Sequence, residues 1–240
     1  MKRARRATED DGADILPARR KYEQGRPWGL IVVLIGLALV VIVTCGLVWL
    51  YIGTDQLARN NARHDIESYR QSCSTADKSW QTIDLDQAVF DDPVEIDGRT
   101  MVAIMSIPSI DQHWPIWADK SAVDRGVIWY DNTASFGELG NSVVSAYRIT
   151  YGSPFGALAD MGEKTVLIVE TCHMRYHYEI VTPIGDITVK SDDRSVLEAV
   201  PHDPGRRPTG RMMTLITSQD KLPSDQRAVG LAALVLAESR

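Results

Sequence analysis

The chain has 240 residues, 44% of them apolar, and a formal net charge of −6 at pH 7. That length holds one ordinary domain plus additional segments, with enough apolar content for a sizeable core. The mildly acidic balance argues against a nucleic-acid partner, and without repeats, low-complexity stretches or metal-ligand spacing no cofactor or metal is expected.

Residues 1–27 are polar and mixed in charge, with Lys2, Arg3, Arg5 and Arg6 set against Glu9, Asp10, Asp11 and Asp14. They read as a disordered tail. Residues 28–52 carry no charged side chain. About 20 apolar residues span a bilayer core as a helix, so this run is long enough. Trp28 and Tyr51 stand near its ends, as in the aromatic belts of membrane helices. Arg19, Arg20, Lys21 and Arg26 precede the run, and Asp55 is the first charge after it. The positive-inside rule therefore puts the tail in the cytoplasm and everything after about residue 53 outside. A cleaved signal peptide is the competing reading. Its apolar region is usually about 7–15 residues and ends in a small-x-small site, which Tyr51-Ile52-Gly53-Thr54-Asp55 supplies poorly.

Residues 53–99 read as an extracytoplasmic stalk or linker. Thr54 to Ser72 contains no Gly or Pro, and Leu57, Ile66 and Tyr69 suggest a helix. Asp91-Asp92-Pro93 ends a short element or forms a loop. Cys45 lies in the apolar run and reads as a small apolar residue. Cys73 and Cys172 both fall outside, where disulfides persist. A bond between them would tie the stalk to the domain; two free thiols are the other option.

From residue 100 to 240 the pattern turns to short strands. Met101–Ile107, Trp114–Trp117, Ser142–Ser145, Thr165–Glu170, Tyr176–Val181, Ile187–Val189, Met212–Ile216 and Ala228–Leu236 are the candidates. Ser121–Val127 and Phe155–Met161 read as helical turns. Many short strands punctuated by Gly and Pro point to an all-β barrel or sandwich.

Several runs in this region carry a resemblance. Thr214-Leu215-Ile216-Thr217-Ser218 is followed nine residues later by Arg227. Asn141 to Arg148 reads Asn-Ser-Val-Val-Ser-Ala-Tyr-Arg, and Arg148 to Phe155 reads Arg-Ile-Thr-Tyr-Gly-Ser-Pro-Phe. Ile107-Pro108-Ser109-Ile110 and Val123 to Tyr130 add two further matches. Together they resemble the sortases, membrane-anchored cysteine transpeptidases of Gram-positive cell surfaces, and the housekeeping-like sortases of actinobacteria in particular. The resemblance implies an eight-stranded β-barrel with short helices, preceded by the membrane helix.

The resemblance also implies a site. In the family a Thr-Leu-x-Thr-Cys strand supplies the nucleophile, a histidine protonates the leaving group, and an arginine stabilises the oxyanion. The sorting signal is cut between Thr and Gly, and an amine, commonly of a cell-wall precursor, resolves the acyl-enzyme. Here Ser218 holds the cysteine position and Tyr147 the histidine position, while Arg227 remains. A serine hydroxyl needs a paired general base. A phenol with pKa near 10 is a poor acid and a poor base at neutral pH. An oxyanion donor alone has nothing to stabilise. The resemblance thus implies a pseudo-sortase at the cell surface with no intact catalytic set. It would bind a sorting-signal peptide, a surface protein or pilin, or an active sortase. The alternative is an enzyme with displaced chemistry, either a serine hydrolase on Ser218 or a thiol enzyme on Cys172. If 173–176 form a hairpin turn, Cys172 and His177 face each other across two strands. His64, His113 and His202 have no partner motif and read as surface or packing residues.

Overall fold

In the computed structural model, residues 28–73, 79–87, 92–220 and 224–240 are described, without the side chains of 50–52. The readings made for the tail (1–27) and for the Tyr51 ring lie outside them. The first element is a 45-residue helix, α1 (Trp28–Ser72). Its apolar side chains from Leu30 to Val43 are exposed, and it is long and apolar enough to cross a membrane. A helix suits that setting because its backbone groups are satisfied internally.

The chain divides into two compact units, 1–45 and 46–240. In the second, the stretch read as a stalk is docked. Ala58, Ala62, Asp65, Ile66, Tyr69 and Cys73 are buried, at helical spacings of three and four along one face. Of the three residues that suggested this helix, Ile66 and Tyr69 are on that face and Leu57 is 61% exposed. Two small alanines let the helix approach closely, and the Tyr69 hydroxyl donates to the Val102 carbonyl (3.0 Å). Asp65 is wholly buried against Arg125, whose Nε donates to Oδ2 (3.0 Å). Burial pushes the Asp65 carboxyl up, against the pull of the Arg125 guanidinium.

Ten strands form one sheet: β1 (Gln81–Ile83), β2 (Val94–Ile96), β3 (Arg99–Ile107), β4 (Gln112–Trp117), β5 (Val127–Trp129), β6 (Gly140–Ser145), β7 (Val166–Glu170), β8 (Met174–Lys190), β9 (Arg211–Ser218) and β10 (Gln226–Ser239). Eight of them close a ring, running β10-β8-β7-β3-β4-β5-β6-β9 and back to β10. β1 and β2 pair with β10 and β3 beside the ring. β4–β5 and β6–β9 are parallel, and the other pairs are antiparallel.

The ring is filled by Met105, Phe136, Val144, Phe155, Leu167, Tyr176 and Leu215, among others. Its outer face is covered in two places. α1 lies over Met101, Ile104, Trp117 and Ile128, and the turn at Ser195–Leu197 lies over Val143, Ile216 and Val229. Double coverage explains why Met101 to Met105 is an unbroken apolar run: with both faces buried, no polar residue alternates.

Three strands escaped the sequence reading. β1, β2 and β5 have three residues each, too few to show a period. Val127, read as the end of a helical turn, starts β5, and the helical turns shrink to Lys120–Ala122 and Leu158–Asp160. Conversely, the segments at 176–181 and 187–189 are one strand, β8. The Pro183 and Gly185 that separate them in sequence sit at a bulge. There the pairing jumps from Thr182↔Leu231 to Ile187↔Val229.

Candidate functional site

Strand register brings the three predicted positions together. β6 and β9 pair without slippage from Gly140↔Arg211 to Ser145↔Ile216. The pairing continues past the strand end. The Ala146 N–H donates to the Ile216 carbonyl (3.2 Å), and Thr217 Oγ1 donates to the Ala146 carbonyl (2.9 Å). Tyr147 therefore comes level with Ser218, and Ser218 is the direct cross-strand partner of Arg227 on β10.

Alternation fixes the face they share. Val144, Ala146, Leu215 and Ala228 belong to the core inside the ring, whereas Val143, Ile216 and Val229 belong to the outer cluster. Tyr147, Ser218 and Arg227 have the parity of the outer set. They form a half-buried row across three neighbouring strands, at the end of an apolar strip. The turn over that strip is held from β6 and β9. Asn141 Nδ2 donates to the carbonyls of Val196 and Glu198 (both 3.0 Å), and its Oδ1 accepts from Thr214 (2.7 Å).

The row is rich in donors. Arg227 Nη1 donates to the carbonyls of Ser224 and Gln226 (both 3.0 Å), which turns the guanidinium toward its own loop. Arg148 Nη1 donates to the carbonyls of Ser218 (3.3 Å) and Gln219 (2.5 Å). Among the described residues, the hydroxyls of Tyr147 and Ser218 and the remaining nitrogens of Arg227 have no hydrogen-bond partner. The Tyr147 ring packs against Tyr151, centroids 5.0 Å apart. Burial, then Tyr151 and Asp124, push the Tyr147 phenol above its ordinary range. At neutral pH it is a protonated donor, not a base.

The turn after Tyr147 is fixed from α1. Tyr151, Gly152 and Ser153 all have positive φ, at 51°, 80° and 55°. The Gly152 N–H donates to Asp55 Oδ1 (2.9 Å), and its carbonyl accepts from Arg59 Nη2 (2.9 Å). A side chain at Gly152 would meet the Trp114 ring, 2.3 Å from its Cβ. The sequence reading used Asp55 only as the first charge after the apolar run and did not single out Arg59. Their partner is 97 and 93 residues away, and nothing local marks the contact.

The thiol alternative is overturned. Cys172 is in a disulfide with Cys73 (Cα–Cα 5.0 Å), so it offers no thiolate. Cys172 sits at the tip of the β7–β8 hairpin, where the Thr171 N–H donates to the Met174 carbonyl (2.8 Å). The turn is thus at 171–174, not 173–176. His177 lies opposite Ile168, and its Nε2 is 2.8 Å from Glu238 Oε2. His113 and His202 bond to Ser106 (2.8 Å) and Ser195 (3.1 Å), and His64 is exposed. Among the described residues no cluster of three or more His, Cys, Asp or Glu is arranged to hold a metal. A cavity of about 830 Å³ lies between α1 and the start of β4, lined by Arg59, Arg63, Arg70 and Trp114. None of the row residues lines it.

Comparison with known proteins fits this geometry. A family model for the sortase domain matches residues 105–235. Sortase SrtE1 of Streptomyces coelicolor is 25% identical over 198 residues, 79% of this chain and 54% of the relative. The chain thus spans about half the length of that curated relative. Among solved structures, sortase E1 of Streptomyces coelicolor with a tripeptide in the active site is 26% identical. It aligns with a TM-score of 0.52 over 57% of this chain and 90% of that one. SrtA sortase of Actinomyces oris (24% identity, TM-score 0.53, 63% and 89% covered) shares the fold. So does a sortase D5 transpeptidase of Clostridium perfringens (17% identity, TM-score 0.54, 73% and 99% covered).

Proposed function

Because the chain belongs to the sortase family, we propose that it is a membrane-anchored pseudo-sortase that binds an extended sorting-signal-like peptide without cutting it. The observation that carries this reading is the row itself. Ser218 and Tyr147 stand in register beside Arg227, where acyl transfer would need a nucleophile and a proton carrier. Burial raises the Tyr147 phenol, so at neutral pH it does not serve as the base that a Ser218 nucleophile would need. The donors left unspent on the half-buried row suit the backbone carbonyls of an extended ligand. The tripeptide in the active site of sortase E1 supports the same use of this face. The ligand would be the sorting signal of a surface protein or pilin. In this reading 1–27 is a cytoplasmic tail, 28–52 the membrane anchor, and the sheet lies outside the cell.

The test is peptide cleavage by the full chain in detergent micelles, on Leu-Pro-x-Thr-Gly and Leu-Ala-x-Thr-Gly peptides. The double variant Tyr147→His, Ser218→Cys runs beside it. Silence from the natural chain with cleavage by the variant is the expected result. Cleavage by the natural chain at a comparable rate would refute the proposal and put Ser218 back as a nucleophile.

A further inference from the structure

Resting on the peptide-binding reading, we infer that the row of Tyr147, Ser218 and Arg227 receives the free carboxylate of a peptide that ends there. Every unspent polar group on the row can donate: two hydroxyls, and Arg227 Nε and Nη2. Such a set matches an acceptor with several lone pairs and a full negative charge. A carboxylate offers about four lone-pair sites and takes a guanidinium through charge-assisted bonds; an internal peptide carbonyl offers two and no charge.

The charges around the row agree. Arg148 contributes a second guanidinium at the backbone of Ser218. Asp124 is the one acid that acts on Tyr147. Arg148 and Arg227 thus bring two guanidiniums to the row, with Asp220 and Asp225 two positions away in sequence. Ser218 is neutral, so it does not repel an anion as an ionised thiol would. Tyr147 keeps its proton at neutral pH because burial opposes ionisation, so its hydroxyl has a proton to donate to a carboxylate. The preferred ligand is therefore the carboxyl-terminated fragment left after a Thr–Gly bond has been hydrolysed, not the uncut signal.

The test is direct binding to the full chain in micelles, by anisotropy of labelled Leu-Pro-Ala-Thr ending as the acid or as the amide. The acid is expected to bind about tenfold tighter or more. Arg227→Gln is expected to weaken the acid far more than the amide and so remove most of that preference, and Tyr147→Phe to reduce it partly. Equal binding of acid and amide overturns the inference and leaves the peptide-binding reading standing. No binding of either peptide overturns both. Displacement of the acid by acetate at the peptide's own concentration would also overturn it, by making the row a general anion site.

Discussion

Removing the Cys73–Cys172 bond tests the docking of α1 without touching the row. The two cysteines are 99 positions apart, so the bond closes a loop of about 100 residues. Chain entropy alone assigns such a loop roughly 4.7 kcal/mol, and disulfides typically deliver about 2–4. The lower range applies here, because Asp65–Arg125 and the Tyr69–Val102 bond keep α1 docked when the link is cut. For a folded unit of this size, 1 kcal/mol moves Tm by about 2–4 °C. The Cys73→Ser, Cys172→Ser variant should therefore melt about 5–15 °C below the natural chain by calorimetry in the same detergent. Reductant should bring the natural chain down to the variant and leave the variant unmoved. Peptide binding well below Tm should be unchanged, because Cys172 lies at the β7–β8 hairpin and not on the row. A Tm shift below about 2 °C on both substitution and reduction would refute the reasoning. Loss of binding with the fold intact would return Cys172 to the functional residues.

Gly152→Ala places a Cβ at positive φ against Trp114, so it should cost about 1–3 kcal/mol in denaturant unfolding and shift the tryptophan fluorescence. Asp65→Asn leaves the Arg125 charge 18% exposed, with Asp97 3.5 Å away as its remaining partner. That should cost about 2–4 kcal/mol, whereas Asp65→Leu with Arg125→Leu should cost far less, a difference that a double-mutant cycle reads directly. Tyr178 is buried, its pKa is pushed up to about 12, and its hydroxyl accepts from the Gly137 N–H (3.0 Å). Its folded pKa exceeds the unfolded value near 10, so its contribution is whole below pH 10 and is lost as pH rises through 12. On the order of 2–3 kcal/mol disappears across that window. The stability gap between the natural chain and Tyr178→Phe should narrow from pH 9 to pH 11, and a constant gap would contradict the assignment.

The row was legible in the sequence because it rests on short local patterns. Thr214 to Ser218 with Arg227, and Asn141 to Arg148, each resemble a short family motif, and strand pairing sets Ser218 opposite Arg227 and level with Tyr147. The closed ring of eight strands likewise follows from many short strands and the family likeness. What the sequence hides is contact between distant segments. Leu57 looked like a helix-face residue because it is large and apolar, yet the docked face is marked by small or polar residues, Ala58, Ala62 and Asp65. Hydrophobic periodicity sees size and polarity, and close helix packing on a sheet asks for the opposite. The Asp55–Gly152–Arg59 clamp and the Asp65–Arg125 pair are invisible for the same reason: each is a charged residue that reads as solvent-facing until its partner is known.

The chemistry of the row turns on donors and acceptors. Acyl transfer by Ser218 would require a group that takes its proton, and then returns it to the leaving amine. Near neutral pH a phenol with an ordinary pKa is ionised about one time in a thousand, and burial makes Tyr147 rarer still as an acceptor. Arg227 and Arg148 only donate. The register that would align a relay is intact, and the side chains placed on it can present protons but not collect them. Such an arrangement stabilises a negative charge that a ligand brings with it. Among the described residues the row offers no group to remove a proton from Ser218, and on that ground recognition, not turnover, is the proposed use of this face.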